Sequence, residues 1–95
     1  MASNFRISVH QNNGDLHLKL KGDFDGSSAF ELVNALQAYH GKVKKIIINT
    51  HGLSSIHPFG LGVFLKICST CKLSHCLLLT GKYGNTMTPT RGYSL

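Results

Sequence analysis

Two groups of residues in this chain are of types that could carry chemistry. The first is Cys68-x-x-Cys71-x-x-x-His75-Cys76, four soft ligands in one short stretch. Tetrahedral zinc takes thiolate and imidazole ligands, and one CxxC is half of many structural zinc sites. Against this, Cys68 falls on the apolar face of a helix and Cys76 opens an apolar strand, settings in which cysteine behaves as a small hydrophobe. The CxxC also closes its helix, whereas a redox dithiol opens one, where the helix dipole acidifies the thiol. The cysteines are expected to be reduced and metal-free, and no cofactor is expected.

The second group surrounds Ser54-Ser55-Ile56-His57, with Asn49 and His51 just upstream. Serine beside histidine supplies the types of a nucleophile and its base. No acid is placed in sequence to orient the imidazole, however, and Asp23 and Asp25 reach it only if the fold brings them there. There is no Walker-type phosphate loop and no carboxylate pair. No catalytic or metal-binding residue is assigned, and an enzyme is not expected.

The stretch Lys45–Ile67 must position these residues. Ile46, Ile47 and Ile48 form a β-branched run that predicts a strand buried on both faces. A turn is expected at His51-Gly52, followed by the small polar pair Ser54-Ser55. Pro58 suits the first position of a helix, where its missing N–H costs nothing, with His57 in the cap position. Leu61, Phe64, Leu65 and Cys68 then recur at helical spacing, to an end near Cys71. Gly60-Leu61-Gly62 lies inside this helix and reads as a close-packing device. The expected unit is strand, loop and helix, with the first helical amides facing solvent, an arrangement that attracts anions.

Upstream, Phe5–His10 alternates apolar and polar residues, a strand with one wet face. Asn13-Gly14 marks a hairpin turn, after which Leu16, Leu18 and Leu20 alternate with His17, Lys19 and Lys21. Gly22 is expected to end that strand. Ser28 with Glu31 fits a capping box, and the helix it opens should bury Phe30, Leu32, Val33, Leu36 and Tyr39 before stopping at His40-Gly41. Cys76–Thr80 reads as a further buried strand. The order predicts an α/β fold, a small mixed and mostly parallel sheet with an N-terminal antiparallel hairpin and helices packed on it. The chain reads as one domain over 1–95, with a tail from about 82 that shows no helical period.

Ninety-five residues support one core. The net charge of +6 reflects four acids against ten bases rather than a basic block. Lys19 and Lys21 alternate along one strand, and Lys42, Lys44 and Lys45 border another, as solvated strand edges do. With no base-reading motif or paired aromatic platform, no nucleic-acid partner is expected. No run is long enough to span a bilayer and no signal peptide opens the chain, so membrane insertion is not expected and a cytoplasmic setting is.

The segment Ile48-Asn49-Thr50-His51-Gly52-Leu53, then Ile56-His57-Pro58-Phe59-Gly60-Leu61-Gly62, resembles the STAS domain of the bacterial anti-sigma factor antagonists. Gly22-Asp23-Phe24-Asp25 is similar to that family's Gly-Glu-apolar-Asp before its first helix. The resemblance covers roughly residues 5–81. It implies a non-catalytic protein-interaction module in signalling and transcription regulation. The implied partner is an anti-sigma factor or serine-kinase-like protein, or another STAS protein. It further implies a helix, strand and closing helix after the last strand. The tail has no recognisable counterpart, so a partner or second copy is expected to cover the apolar surface left there.

In the phosphorylated antagonists, a hydroxyl between the Asp and Gly-Leu-Gly is modified and the added charge breaks the complex. Here the acid position is His57, the hydroxyl positions are Pro58 and Phe59, and the strand-end acid is Asn49. No phosphorylation is expected at this motif. The partner-binding residues the resemblance implies are Asp25, Ser54, Ser55, His57, Pro58, Phe59 and Gly60, with Phe59 exposed as an apolar anchor. The alternative is a small-molecule or anion sensor that binds at the helix N-terminus over residues 57–60.

Overall fold

In the computed structural model, which describes residues 4–39, 41–71 and 77–88, strands and helices follow one another in the predicted order. They are β1 (Arg6–Asn12), β2 (Asp15–Phe24), α1 (Gly26–Tyr39), β3 (Lys45–Ile56), α2 (Pro58–Cys71), β4 (Leu77–Thr80) and α3 (Gly84–Met87). The sheet order is β1-β2-β3-β4, with β1 antiparallel to β2 and the remaining pairs parallel. This is the mixed α/β sheet that the pattern predicts. The hairpin turn is two residues long, between Asn12 and Asp15, with Asn13 at φ 52° and Gly14 at φ 88°. Asn-Gly tolerates that left-handed pair and matches the strand twist.

The core lies on one face of the sheet. Leu16, Leu18, Leu20 and Phe24 of β2, with Ile46, Ile48 and Leu53 of β3, pack with Ala29, Leu32 and Leu36 of α1 and Phe64 and Cys68 of α2. Phe24 stands edge-on to both Phe5 and Phe64, with ring centroids 5.8 and 6.1 Å away, an arrangement that aromatic quadrupoles favour.

The structure corrects the sequence reading at several points. Ile47 is only half-buried while Ile46 and Ile48 are fully buried, so β3 has one core face rather than two. Leu78 of β4 is 49% exposed for the same reason. Nor does Gly22 end β2, which continues to Phe24. Because β2 continues, β3 continues beside it through the expected turn and loop, as far as Ile56. Its surplus residues are absorbed where the register jumps, between Lys19↔Asn49 and Lys21↔Gly52 and again between Gly22↔Leu53 and Asp23↔Ser55. Such bulges bend a strand without ending it. At the first jump a Cβ on Gly52 would meet the Leu20 carbonyl oxygen at 2.6 Å, which explains the glycine.

The cap of α1 is also displaced. Asp25 Oδ1 accepts the Ser28 amide at 3.0 Å, so Asp25 is the N-cap and Ser28, fully buried, is the third residue of the helix. Glu31 is exposed. Phe30, expected in the core, is 53% exposed: the buried set Ala29, Leu32, Val33, Leu36 already fills the helical stripe, and position 30 falls beside it. Within the stretch read as irregular, Gly84–Met87 form one helical turn that brings Met87 into the core. Of the cysteine and histidine cluster, Cys68 is buried in the core, while His75 and Cys76 lie outside the described residues. No group of three or more potential metal ligands occurs among the described residues, and no described helix is long and apolar enough to cross a membrane.

Candidate functional site

The site forms where β2 and β3, running parallel, release the chain into α1 and α2. Ligand sites in open α/β sheets favour such carboxyl-terminal strand ends. The two exits are tied by the His57 amide, which donates to the Phe24 carbonyl at 2.8 Å. One residue later Pro58 opens α2, and the His57 carbonyl accepts the first helical bond from Leu61 at 3.0 Å. His57 therefore occupies the cap position predicted for it, through its backbone.

The helix starts meet almost without side chains between them. A Cβ on Gly60 would lie 2.6 Å from the Asp25 carbonyl carbon and oxygen, so only glycine lets α2 begin this close to the α1 cap. Gly62, by contrast, faces open space and has no packing role of the kind expected for it. At Gly26 a Cβ would stand 2.8 Å from Cε2 of Phe59. The Phe59 ring therefore rests on the bare backbone of Gly26, yet 73% of the residue remains exposed. His57 and Pro58 beside it are also exposed.

Beneath this surface is a polar mesh. Ser55 Oγ donates to Asp23 Oδ1 at 2.8 Å across the β3–β2 pair. Ser28 Oγ lies 2.9 Å from the Asp23 carbonyl and 3.1 Å from Asp25 Oδ1, two acceptors for one proton. The Ser28 amide, assisted by that hydroxyl, holds the Asp25 carboxyl below its ordinary range despite partial burial, which acts the other way. The fold thus brings Asp23 to Ser55 rather than to His57. Ser54, exposed on the bulge, has no part in the mesh. Of the predicted site residues, Asp25, Ser55, His57, Pro58, Phe59 and Gly60 converge on the strand exits. Gly26, Ser28 and the exposed Phe30 are additions that sequence reasoning missed. Gly26 and Phe30 are four residues apart and share one side of α1, so an exposed aromatic lies one turn beyond the glycine that seats Phe59.

Neither a family model nor a curated protein matches the sequence. Solved structures do match in shape. The anti-sigma factor antagonist SpoIIAA in its unphosphorylated form superposes with a TM-score of 0.56 at 19% identity, over 79% of this chain and 70% of its own. The fold is STAS-like. A DUF3478-family protein with a SpoIIAA-like fold, from Shewanella loihica PV-4, has a TM-score of 0.61 at 16% identity, over 86% of this chain and 72% of its own. Mglu has a TM-score of 0.63 at 13% identity over 79% of this chain, and the chain spans only 19% of Mglu's length. At these identities the likeness is one of fold. Two departures from the switch motif that the resemblance implies can be placed on this STAS-like frame. Asn49 Oδ1 accepts the His51 amide at 2.8 Å, a local side-chain-to-backbone bond at the first β3 irregularity, and His57 caps α2 through its main chain.

Proposed function

We propose that the chain is a regulatory protein-interaction module that docks a protein partner through the first turn of α2. The observation that carries this is Phe59, an aromatic residue 73% exposed at the strand exits with its ring edge against Gly26. Apolar anchors of this kind lose little entropy and gain much on docking. His57, Pro58 and Asp25 complete the surface, with exposed Ser54 at its edge on the β3 bulge; Gly60 and Ser55 fix its shape, and Phe30 extends it along α1. The SpoIIAA likeness in fold makes an anti-sigma factor or serine-kinase-like protein the partner class of choice. Docking here is not switched by phosphorylation at the motif, because the two hydroxyl positions of the resemblance hold Pro58 and Phe59.

The same turn offers little to an anion, which favours this reading over a sensor of small anions. Pro58 has no N–H, the His57 amide is taken by Phe24, and the backbone carbonyl of Asp25 crowds the turn at Gly60. The test is Phe59→Ala, assayed for folding by thermal denaturation and for affinity by calorimetry against the partner recovered with the native chain. An unchanged unfolding midpoint with affinity reduced by about 2 kcal/mol supports the proposal. A lowered midpoint with unchanged affinity would make Phe59 a core residue and defeat it. Self-association through the same apolar surface is the second form the docking takes if light scattering shows a dimer that Phe59→Ala dissociates.

A further inference from the structure

The side of the sheet away from α1 and α2 carries an independent feature. Strand alternation sends Leu16, Leu18 and Leu20 inward, and Arg6, Ser8 and His10 of β1 outward with His17, Lys19 and Lys21 of β2. The register sets these outward residues directly opposite one another as Arg6↔Lys21, Ser8↔Lys19 and His10↔His17. Like charges directly opposite across an antiparallel pair are destabilising. Two adjoining depressions, of about 390 and 480 Å3, open on this face and share Ser8 and Lys19 in their linings. Leu20, Lys21, Asn49, His51 and Gly52 complete one, and His10, Asn12 and His17 the other. No carboxylate lines either.

We infer that this outer face is a second docking surface, for an extended acidic segment of a partner protein. An extended chain places alternate side chains roughly 6.8 Å apart, the same repeat that spaces His17, Lys19 and Lys21 along β2. Carboxylates at every second position therefore meet Lys19 and Lys21 in succession, with the His17 imidazole one step further along, and the depressions receive their side chains. Charge complementarity of this kind sets register and steers encounter. A second copy of the chain does not supply the acidic segment. Of its four acids, Asp23 holds Ser55, Asp25 caps α1, Glu31 lies on α1 and Asp15 stands alone at the hairpin. Single-stranded nucleic acid is disfavoured because no phenylalanine, tyrosine or tryptophan lines the depressions to stack a base. A lipid surface is disfavoured at the depressions because their linings hold no exposed apolar side chain, Ile47 and the exposed Leu78 lying beyond them on the same face. The surface lies across the sheet from Phe59, and the inference does not depend on the role proposed for that residue.

The test is fluorescence anisotropy with the full chain and a labelled peptide bearing glutamate at every second position. A single-stranded RNA oligonucleotide and phosphatidylserine vesicles are run in parallel. The acidic peptide is expected to bind, with affinity falling about tenfold or more between about 50 and 200 mM salt as the charges are screened. The double variant Lys19→Glu, Lys21→Glu should weaken it by at least about tenfold, while Phe59→Ala leaves it unchanged. The double variant should keep or raise the unfolding midpoint, because Lys21→Glu places an acid opposite Arg6. If it fails to fold, the Lys19→Gln, Lys21→Gln pair provides the same comparison. Absence of peptide binding, binding indifferent to these substitutions, or tighter binding of RNA or vesicles would each overturn the assignment.

Discussion

The ring of Phe59 is seated on Gly26, close enough that a Cβ at position 26 would stand 2.8 Å from Phe59 Cε2. That contact links the first turns of α1 and α2 through one side chain that is mostly in solvent. At the neighbouring approach, a Cβ on Gly60 would stand 2.6 Å from backbone atoms of Asp25. The two glycines should therefore respond differently to alanine.

Gly26→Ala pushes only on the tip of an exposed ring, which can rotate away, and alanine is the better helix former by about 1 kcal/mol. Its unfolding midpoint should be unchanged or raised while partner affinity falls, because the anchor is displaced. Gly60→Ala must move the α1 cap itself, and overpacking of that kind costs about 1–3 kcal/mol. Denaturant unfolding of the two variants side by side checks the contrast.

Phe30 and Phe59 should act together at the partner surface. Phe30→Ala removes an exposed ring from α1 and should leave the unfolding midpoint nearly unmoved, since the buried stripe Ala29, Leu32, Val33, Leu36 is untouched. Partner affinity should drop by about 1 kcal/mol or more. In a double-mutant cycle with Phe59→Ala, a coupling above about 0.5 kcal/mol would show that the two rings meet the same partner group.

Asp25 predicts a pH dependence with a definite sign. Its carboxyl is lowered from the ordinary value of 3.8, chiefly by the Ser28 amide. The folded value lies below the unfolded one, so the contribution to stability is complete above the unfolded value and fades as pH falls through the folded one. Asp25→Ala should lower the unfolding midpoint at neutral pH, with the difference from the parent chain shrinking as the solution is acidified through the carboxylate range. Asp25→Ser, which preserves an N-cap acceptor, should recover most of the loss without that pH dependence.

Thr50 is the polar hinge between β3 and the segment after β4. Fully buried, its Oγ1 donates to the Thr80 carbonyl at 2.7 Å and accepts the Tyr83 amide at 3.0 Å. Thr50→Val keeps the volume and strands both partners, at a cost of about 1–3 kcal/mol. Hydrogen exchange should quicken first over Gly81–Met87, the turn that this hydroxyl holds.

Much of the fold is legible along the chain because it depends on neighbours in sequence. Asn13-Gly14 admits the left-handed pair a two-residue hairpin requires, alternating leucines define the core side of β2, and Pro58 ends one element and opens the next. The buried positions Leu32, Val33 and Leu36 of α1 and the stripe through Leu61–Cys68 of α2 follow from a period that needs no tertiary information, whereas the choice of Ala29 over Phe30 for the core does not. What the chain alone did not decide depends on what lies alongside. Gly52 and the two serines read as a loop because their local preference is for turns, yet β2 provides a ladder that draws them into β3 as bulged strand. Ser28 resembles a cap until Asp25, three residues earlier, takes the amide. Ile47 and Leu78 have the apolar character of buried strand positions, but among the described residues helices cover only the opposite face. The seat of Phe59 on Gly26, the Ser55–Asp23 bond and the opposition of Arg6 to Lys21 join residues 15 or more positions apart. They follow from register and crossover geometry, which local sequence preferences do not encode.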